Sequence, residues 1–421
     1  MARKPGIYRN VPHTGEALCI IEALNSGFNT RRTQWCNFAQ GEPEVSQFQD
    51  APSRLSWITL ETHDHESSPV GGSDELRDSI AQYYNQLYRE DLDSKYKKEN
   101  VSVAPGGRIA LSRILNALGD GKIGYRNPDC PSYPHLLQNH EHRLKQVPLQ
   151  ASPDKGFCVD LAEIEKHVSG KKLSSFLMSN PCNPTGQVMS GTELKKLVTV
   201  GRKHKCVMIM DEVYSHYVFG LEGEEENKPL SVAPFVGNVD RDPILIVDGL
   251  GKGWRYPGWR LSWIVGPPKL IEAVNNVAHY FDGGASVPAQ RLAIKALEED
   301  RSQQERTRGL QVFTDKRSIL TEKFQELGIK CVEEPCGTFY VWADIRGLPK
   351  GLNNADKFFR RALEEKLIVI PGKHFDLNPT NKTSASKELK NWVRFSFAPS
   401  TTSLSQGVET LAAMIESAGA G

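Results

Sequence analysis

Ser175-Phe176-Leu177-Met178-Ser179-Asn180-Pro181-Cys182-Asn183-Pro184-Thr185-Gly186 decides how this chain folds. A short apolar run ends in a turn holding two Asn-Pro pairs, which reads as a strand delivering polar side chains at its carboxyl end. The same arrangement recurs on both sides of it. Val101 to Val103 leads into Pro105-Gly106-Gly107-Arg108, and Lys122 to Tyr125 leads into Asn127 to Pro134. Val207 to Met210 leads into Asp211-Glu212-Val213-Tyr214, Ile244 to Val247 into Asp248-Gly249-Leu250-Gly251-Lys252, and Leu261 to Val265 is a further candidate strand. Strands alternating with amphipathic helices predict an α/β fold with a mostly parallel sheet flanked by helices. In such sheets ligands gather at the carboxyl ends of the strands, so these polar clusters are expected on one rim.

Upstream, Thr14 to Asn25 predicts a short helix opened by a Thr cap, and Gly71-Gly72-Ser73 precedes a helical period through Leu76, Ile80, Tyr84 and Leu87. Asp74 and Glu75 lie in the first turn of that second helix, where the helix dipole favours anions. Downstream, a long polar helix is predicted from about Pro288 to Leu327, followed by strands at Phe339 to Trp342, Ile368 to Ile370 and Val393 to Phe397 in a second, smaller domain. The acidic Glu222 to Glu226 run and the polar Asn378 to Lys387 segment read as solvated loops.

The 421 residues are too many for one hydrophobic core. A hydrophobic fraction of 39% with 35 glycines excludes disorder and collagen. With 52 Lys and Arg against 51 Asp and Glu the net charge is +1, so no global field favours nucleic acid. No apolar stretch is long enough to span a bilayer. Met1 to Asn10 carries Arg3, Lys4 and Arg9 with no apolar run behind it, so a secretory signal is not expected and the cytoplasm is the expected compartment. Eight irregularly spaced cysteines without a Cys-x-x-Cys pair read as reduced thiols.

The rim carries the chemistry. A glycine pair between strand and helix, Gly106-Gly107, lets backbone N–H groups approach an anion at the helix N-terminus, and also fits a plain tight turn. Gly249-Leu250-Gly251-Lys252-Gly253-Trp254 fits neither nucleotide motif. The dinucleotide pattern needs glycine at Trp254, and the P-loop needs Ser or Thr at Gly253 and glycine at Ile246. What remains is a lysine in a glycine turn at a strand end, a candidate Schiff-base nucleophile if desolvated and otherwise a surface lysine. His63-Asp64-His65-Glu66 has metal-ligand composition, but alternate residues of a polar loop seldom close a tetrahedral site, so an active-site or solvated loop is expected and no metal.

Ser179 to Gly186, then Asp211-Glu212-Val213-Tyr214, then Lys252 with Pro257-Gly258-Trp259-Arg260, resembles the class I/II aminotransferases, fold type I enzymes dependent on pyridoxal 5′-phosphate. The similarity extends through Phe38 to Pro43, Gly72 to Arg77, Pro335 to Trp342, Pro371-Gly372 with Phe375, and Trp392 to Phe395. It implies that Lys252 forms the internal aldimine and later serves as general base at the substrate α-carbon, by way of a quinonoid. Asp211 is implied to pair with the pyridinium nitrogen, Asn183 and Tyr214 to bond the phenolic oxygen, and Tyr133 to stack on the ring. Gly106, Gly107, Arg108 and Arg260 are implied to hold the phosphate. Arg394 is implied to fork onto the substrate α-carboxylate, with Gly41 letting the backbone approach it. Tyr133 also fits a core aromatic, and Gly41 a turn.

The resemblance further implies a homodimer with shared sites, acting on an L-amino acid and a 2-oxo acid. The expected division is an N-terminal segment over 1–48 packing on the small domain, a large cofactor domain over 49–300 and a small domain over 301–421. An Asn183-Pro184 cis peptide is predicted, and Asp282 to Ser286 falls where relatives place an intersubunit loop, or is a helix-entry turn. Departures concern the phosphate. Relatives usually carry Ser-x-Ser-Lys where this chain has Gly249-Leu250-Gly251-Lys252, a tyrosine where Ser67 stands, Ala followed by Thr, Ser or Gln where Gly107-Arg108 stands, and a small or apolar pair where Arg255-Tyr256 stands. Arg108 is expected either to replace a lost phosphate donor or to face solvent while water or His65 fills the gap. A lyase, oxidase or cyclase of the same fold, and a non-catalytic regulatory module, remain as alternatives.

Overall fold

The computed structural model describes residues 13–29, 34–220, 228–332, 337–378 and 388–419. Met1 to Asn10, Glu222 to Glu226, Pro335 and most of the Asn378 to Lys387 segment lie outside the described residues. Helix α1 (Gly15–Asn25) opens on Thr14, whose side chain accepts from Ala17 N at 3.2 Å. Strand β1 (Cys36–Asn37) follows, then α2 (Asp74–Tyr88), capped by Ser73 accepting from Leu76 N at 3.3 Å with Asp74 and Glu75 in the first turn.

The large sheet is built from β2 (Val101–Ala104), β3 (Gly121–Asn127), β4 (Leu144–Gln150), β5 (Ser175–Ser179), β6 (Val207–Asp211), β7 (Ile244–Gly249) and β8 (Ser262–Val265). Their spatial order is β2-β8-β7-β6-β5-β3-β4, and only the pairings of β8 with β2 and β7 are antiparallel. Between them run α3 (Gly107–Ala117), α4 (Tyr133–Gln138), α5 (Leu161–Lys171) and α6 (Gly191–His204). Helix α7 (Pro268–Phe281) follows the sheet.

Strand periodicity sorts the core into two layers. Leu177, Ile209, Val247 and Ile264 pack with Ala110 and Ile114 of α3 and Ile271 and Val274 of α7. Their alternates Phe176, Met178, Met208, Met210, Ile246 and Val265 join Leu76 and Ile80 of α2, Ile164 of α5 and Leu194 of α6. Helices therefore cover both faces, which is why the inner strands read as unbroken apolar runs.

The predicted long helix is two. Helix α8 (Val287–Leu297) ends at Glu298, whose ψ of 132° breaks the hydrogen-bond ladder, and α9 (Glu299–Glu326) starts anew. Beyond it come β9 (Lys330–Cys331), β10 (Tyr340–Asp344), α10 (Ala355–Glu364), β11 (Leu367–Ile368), β12 (Ile370–Pro371), β13 (Trp392–Ser396) and α11 (Thr401–Gly419). A second sheet runs β12-β13-β10-β9, and β1 pairs in parallel with β11, tying the N-terminal segment to the C-terminal region. Among the described residues no helix is long and apolar enough to cross a membrane.

Candidate active site

The carboxyl ends of β5, β6 and β7 and the start of α3 open on a cavity of about 620 Å³. Gly41, Gly107, Arg108, Asn183, Asp211, Tyr214, Lys252 and Arg260 line it, so most residues singled out from the sequence meet in one place. Asn183-Pro184 is cis, as are Asn180-Pro181 and Asn127-Pro128.

Asp211 is the last residue of β6 and is buried. Its Oδ2 accepts from the Tyr133 hydroxyl at 2.8 Å, while Oδ1 is buried with no hydrogen-bond partner. Burial pushes the carboxyl up to about 6, against the Tyr133 hydrogen bond, which holds it down. A carboxylate with one oxygen satisfied and the other free in a cavity needs a donor from a ligand. Tyr133 itself is fully buried and is not among the lining residues. Cys130 and Ser132 of the same turn line the cavity instead. The Tyr133 hydroxyl thus orients Asp211.

Lys252 sits one turn beyond β7 with its Nζ donating to the Gly41 carbonyl. Burial lowers its ammonium to about 8, opposed by Glu16 and Glu42. Such a lysine has neutral amine available near neutral pH, as a nucleophile requires. Tyr214 OH lies 2.9 Å from Tyr340 OH, and burial raises its phenol well above 10.

Arg394, in the middle of β13, is fully buried. Nη1 donates to Asn183 Oδ1 at 2.9 Å and to Glu16 Oε1 at 2.8 Å, and Nη2 to Ala39 O at 3.0 Å, leaving Nε without a partner. A carboxylate therefore already occupies the guanidinium: that of Glu16, in the first turn of α1.

Gly106 caps α3 with φ 96°, a left-handed value that suits glycine, and a Cβ there would stand 2.3 Å from Arg260 Nη2. The close approach brings Arg260 over the helix N-terminus, where anions are favoured. Arg108, in the first turn of α3, is exposed toward the cavity mouth. His65 lies on an exposed turn and is not among the lining residues, so in this protomer it does not fill a phosphate gap. Asp64 of the same turn pairs with Arg291. Asp282 is held by Arg113 at 2.5 Å and 2.8 Å beside Gly283 and Gly284.

Sequence reasoning missed Glu16, Tyr340, Cys130 and Ser262, all of which line the cavity. Only Tyr340 carried a signal, through its place in the Phe339 to Trp342 strand.

With this geometry established, comparison with known proteins is direct. A profile of the class I and II aminotransferases matches residues 33–411. An aspartate aminotransferase of Sulfurisphaera tokodaii is 27% identical over 398 residues, covering 92% of this chain and 91% of that protein. One of Thermotoga maritima is 29% identical over 341 residues, 80% of each chain. A Thermus thermophilus aspartate aminotransferase double mutant superposes with a TM-score of 0.78 at 23% identity, over 98% of this chain and 100% of that one. The chain belongs to the class I and II aminotransferase family. It is a transferase by family, built on fold type I.

Proposed function

We propose that this chain is a pyridoxal-5′-phosphate-dependent aminotransferase that moves an amino group from an L-amino acid to a 2-oxo acid. The observation that carries the reading is the unpartnered Asp211 Oδ1 on the same cavity wall system as the desolvated Lys252 amine, next to a glycine-opened helix N-terminus under Arg260. These residues fit the cofactor: Asp211 for a protonated pyridine nitrogen, the start of α3 with Arg260 for a phosphate, Lys252 for an aldehyde. When bound, the cofactor supplies that aldehyde and a ring that accepts electrons from the substrate α-carbon.

The chain does the rest. Arg394 binds the substrate α-carboxylate in place of Glu16, with Asn183 orienting its fork. Tyr214 turns its hydroxyl from Tyr340 toward the ligand. Lys252 Nζ takes the proton from the substrate α-carbon and returns it. Roles for Gly41, Gly107 and Arg108 are proposed at the carboxylate and phosphate ends respectively. A homodimer is proposed as the working assembly, supported by the exposed Trp57 and Tyr280, side chains of the kind a second copy covers. Cys19, Cys36, Cys130, Cys182, Cys206 and Cys331 are free thiols, in keeping with a reducing compartment such as the cytoplasm.

The test is to mix the cofactor-loaded enzyme with L-amino acids and follow its absorption spectrum. Conversion to pyridoxamine phosphate with one equivalent of 2-oxo acid, reversed by a second 2-oxo acid, is expected. Ammonia release with the aldehyde form retained would show a lyase instead, or an oxidase if oxygen is also consumed.

A further inference from the structure

The family resemblance implies a hydroxyl residue where this chain has Gly249, and in the structure Ser262 stands across from that position. Strands β7 and β8 pair antiparallel with Gly249 directly opposite Ser262. Side chains at directly opposed positions project from the same face of a sheet. A Cβ built on Gly249 would stand 2.3 Å from Ser262 Oγ and 2.6 Å from Ser262 Cα. The Leu261 carbonyl oxygen would stand 2.7 Å away, so this backbone leaves no room for a side chain at 249.

The Ser262 hydroxyl reaches the site. Ser262 is 5% exposed and lines the cavity, two residues beyond Arg260. Its Oγ lies 3.9 Å from the Cβ position of Gly107, the first residue of α3. Among the described residues that hydroxyl bonds to no protein group, and it faces the cavity. An unpartnered hydroxyl, a helix N-terminus opened by glycine and the Arg260 guanidinium thus meet at one corner.

We infer that Ser262 is a phosphate-binding residue of this chain, its hydroxyl donating to the cofactor phosphate from β8 in place of the one lost from β7 at Gly249. The inference rests on the cofactor reading above and deepens it. The close approach of β8 leaves only glycine room at 249, and it is β8 that then presents a hydroxyl at this corner.

The test uses the cofactor-free full chain and two non-covalent probes, pyridoxamine phosphate and pyridoxamine, titrated by calorimetry, so that Lys252 chemistry plays no part. Ser262→Ala should weaken pyridoxamine phosphate about tenfold, the low end for a hydrogen bond to a charged group, and leave pyridoxamine unchanged. Gly249→Ser should weaken it as well, through the clash with Ser262. Unchanged phosphate binding in Ser262→Ala, or an equal loss for both probes, would overturn the inference while leaving the cofactor reading intact. A parent chain that binds neither probe would overturn both.

Discussion

Replacing Glu16 with Gln should tighten the binding of carboxylate ligands. In the free chain Glu16 Oε1 holds Arg394 Nη1 at 2.8 Å, so an arriving α-carboxylate must displace a carboxylate already in place. A hydrogen bond to a charged group contributes about 1.5–3 kcal/mol. Glu16 is 26% exposed, so part of its attraction is screened and the low end applies. Glutamine still offers an amide oxygen but no charge, so the barrier to displacement falls by about 1.4 kcal/mol, a factor of ten. The assay is calorimetric titration of the cofactor-loaded enzyme with pentanoate, a monocarboxylate that cannot react. The expected outcome is a roughly tenfold lower Kd in Glu16→Gln, with a matching fall in the amino-acid KM. The same change removes the counter-ion of a fully buried guanidinium, so the ligand-free Tm should drop and pentanoate should restore it. Pentanoate binding that is unchanged or weaker in the variant would refute competition between Glu16 and substrate.

Other outcomes follow from the same geometry. Arg394→Lys keeps the charge but not the fork, so the amino-acid KM should rise about a hundredfold while cofactor Kd stays put, since two charged hydrogen bonds go together; a KM within threefold of the parent argues against the assignment. Neutral amine is the reactive form of Lys252, and its ammonium is lowered to about 8. The rate of capture of added pyridoxal should therefore climb with pH around a midpoint near 8, and a midpoint near the ordinary lysine value would contradict its burial. The sign for stability is the same: the unfolded chain holds the extra proton between the two values, so Lys252 penalises the fold most below 8 and the penalty is relieved as pH rises. Asp211 is raised to about 6, so affinity for pyridoxamine phosphate should fall as pH drops through that region. Tyr133→Phe removes the bond that holds Asp211 down, and should shift this midpoint upward; a downward shift would show that Tyr133 acts otherwise.

The large sheet was legible because buried parallel strands read as short apolar runs with turn residues behind them. Strand β4 is not legible: Leu144-Lys145-Gln146-Val147-Pro148-Leu149-Gln150 has adjacent polar residues at 145 and 146 that break the alternation and holds a proline, tolerable because β4 forms the edge of the sheet. The break between α8 and α9 was also silent, since Leu297-Glu298-Glu299 contains no glycine or proline and Glu298 departs from helical geometry without one.

In the site, Lys252, Asp211 and Asn183 sit in local motifs, where neighbours along the chain announce the role. Glu16, Ser262 and Tyr340 acquire theirs across the fold. Tyr214 and Tyr340 are 126 residues apart, and a glutamate in a first helical turn reads only as a favourable charge on the dipole. Tyr133 is announced by its motif, but its hydrogen bond to Asp211, 78 residues away, is not.

The central claim is that Lys252 carries the cofactor. Borohydride reduction of the cofactor-loaded enzyme, followed by peptide mapping, measures it most directly. A pyridoxyl group on Lys252, absent from the Lys252→Ala variant, is expected. A label on another lysine, or on none, would contradict it.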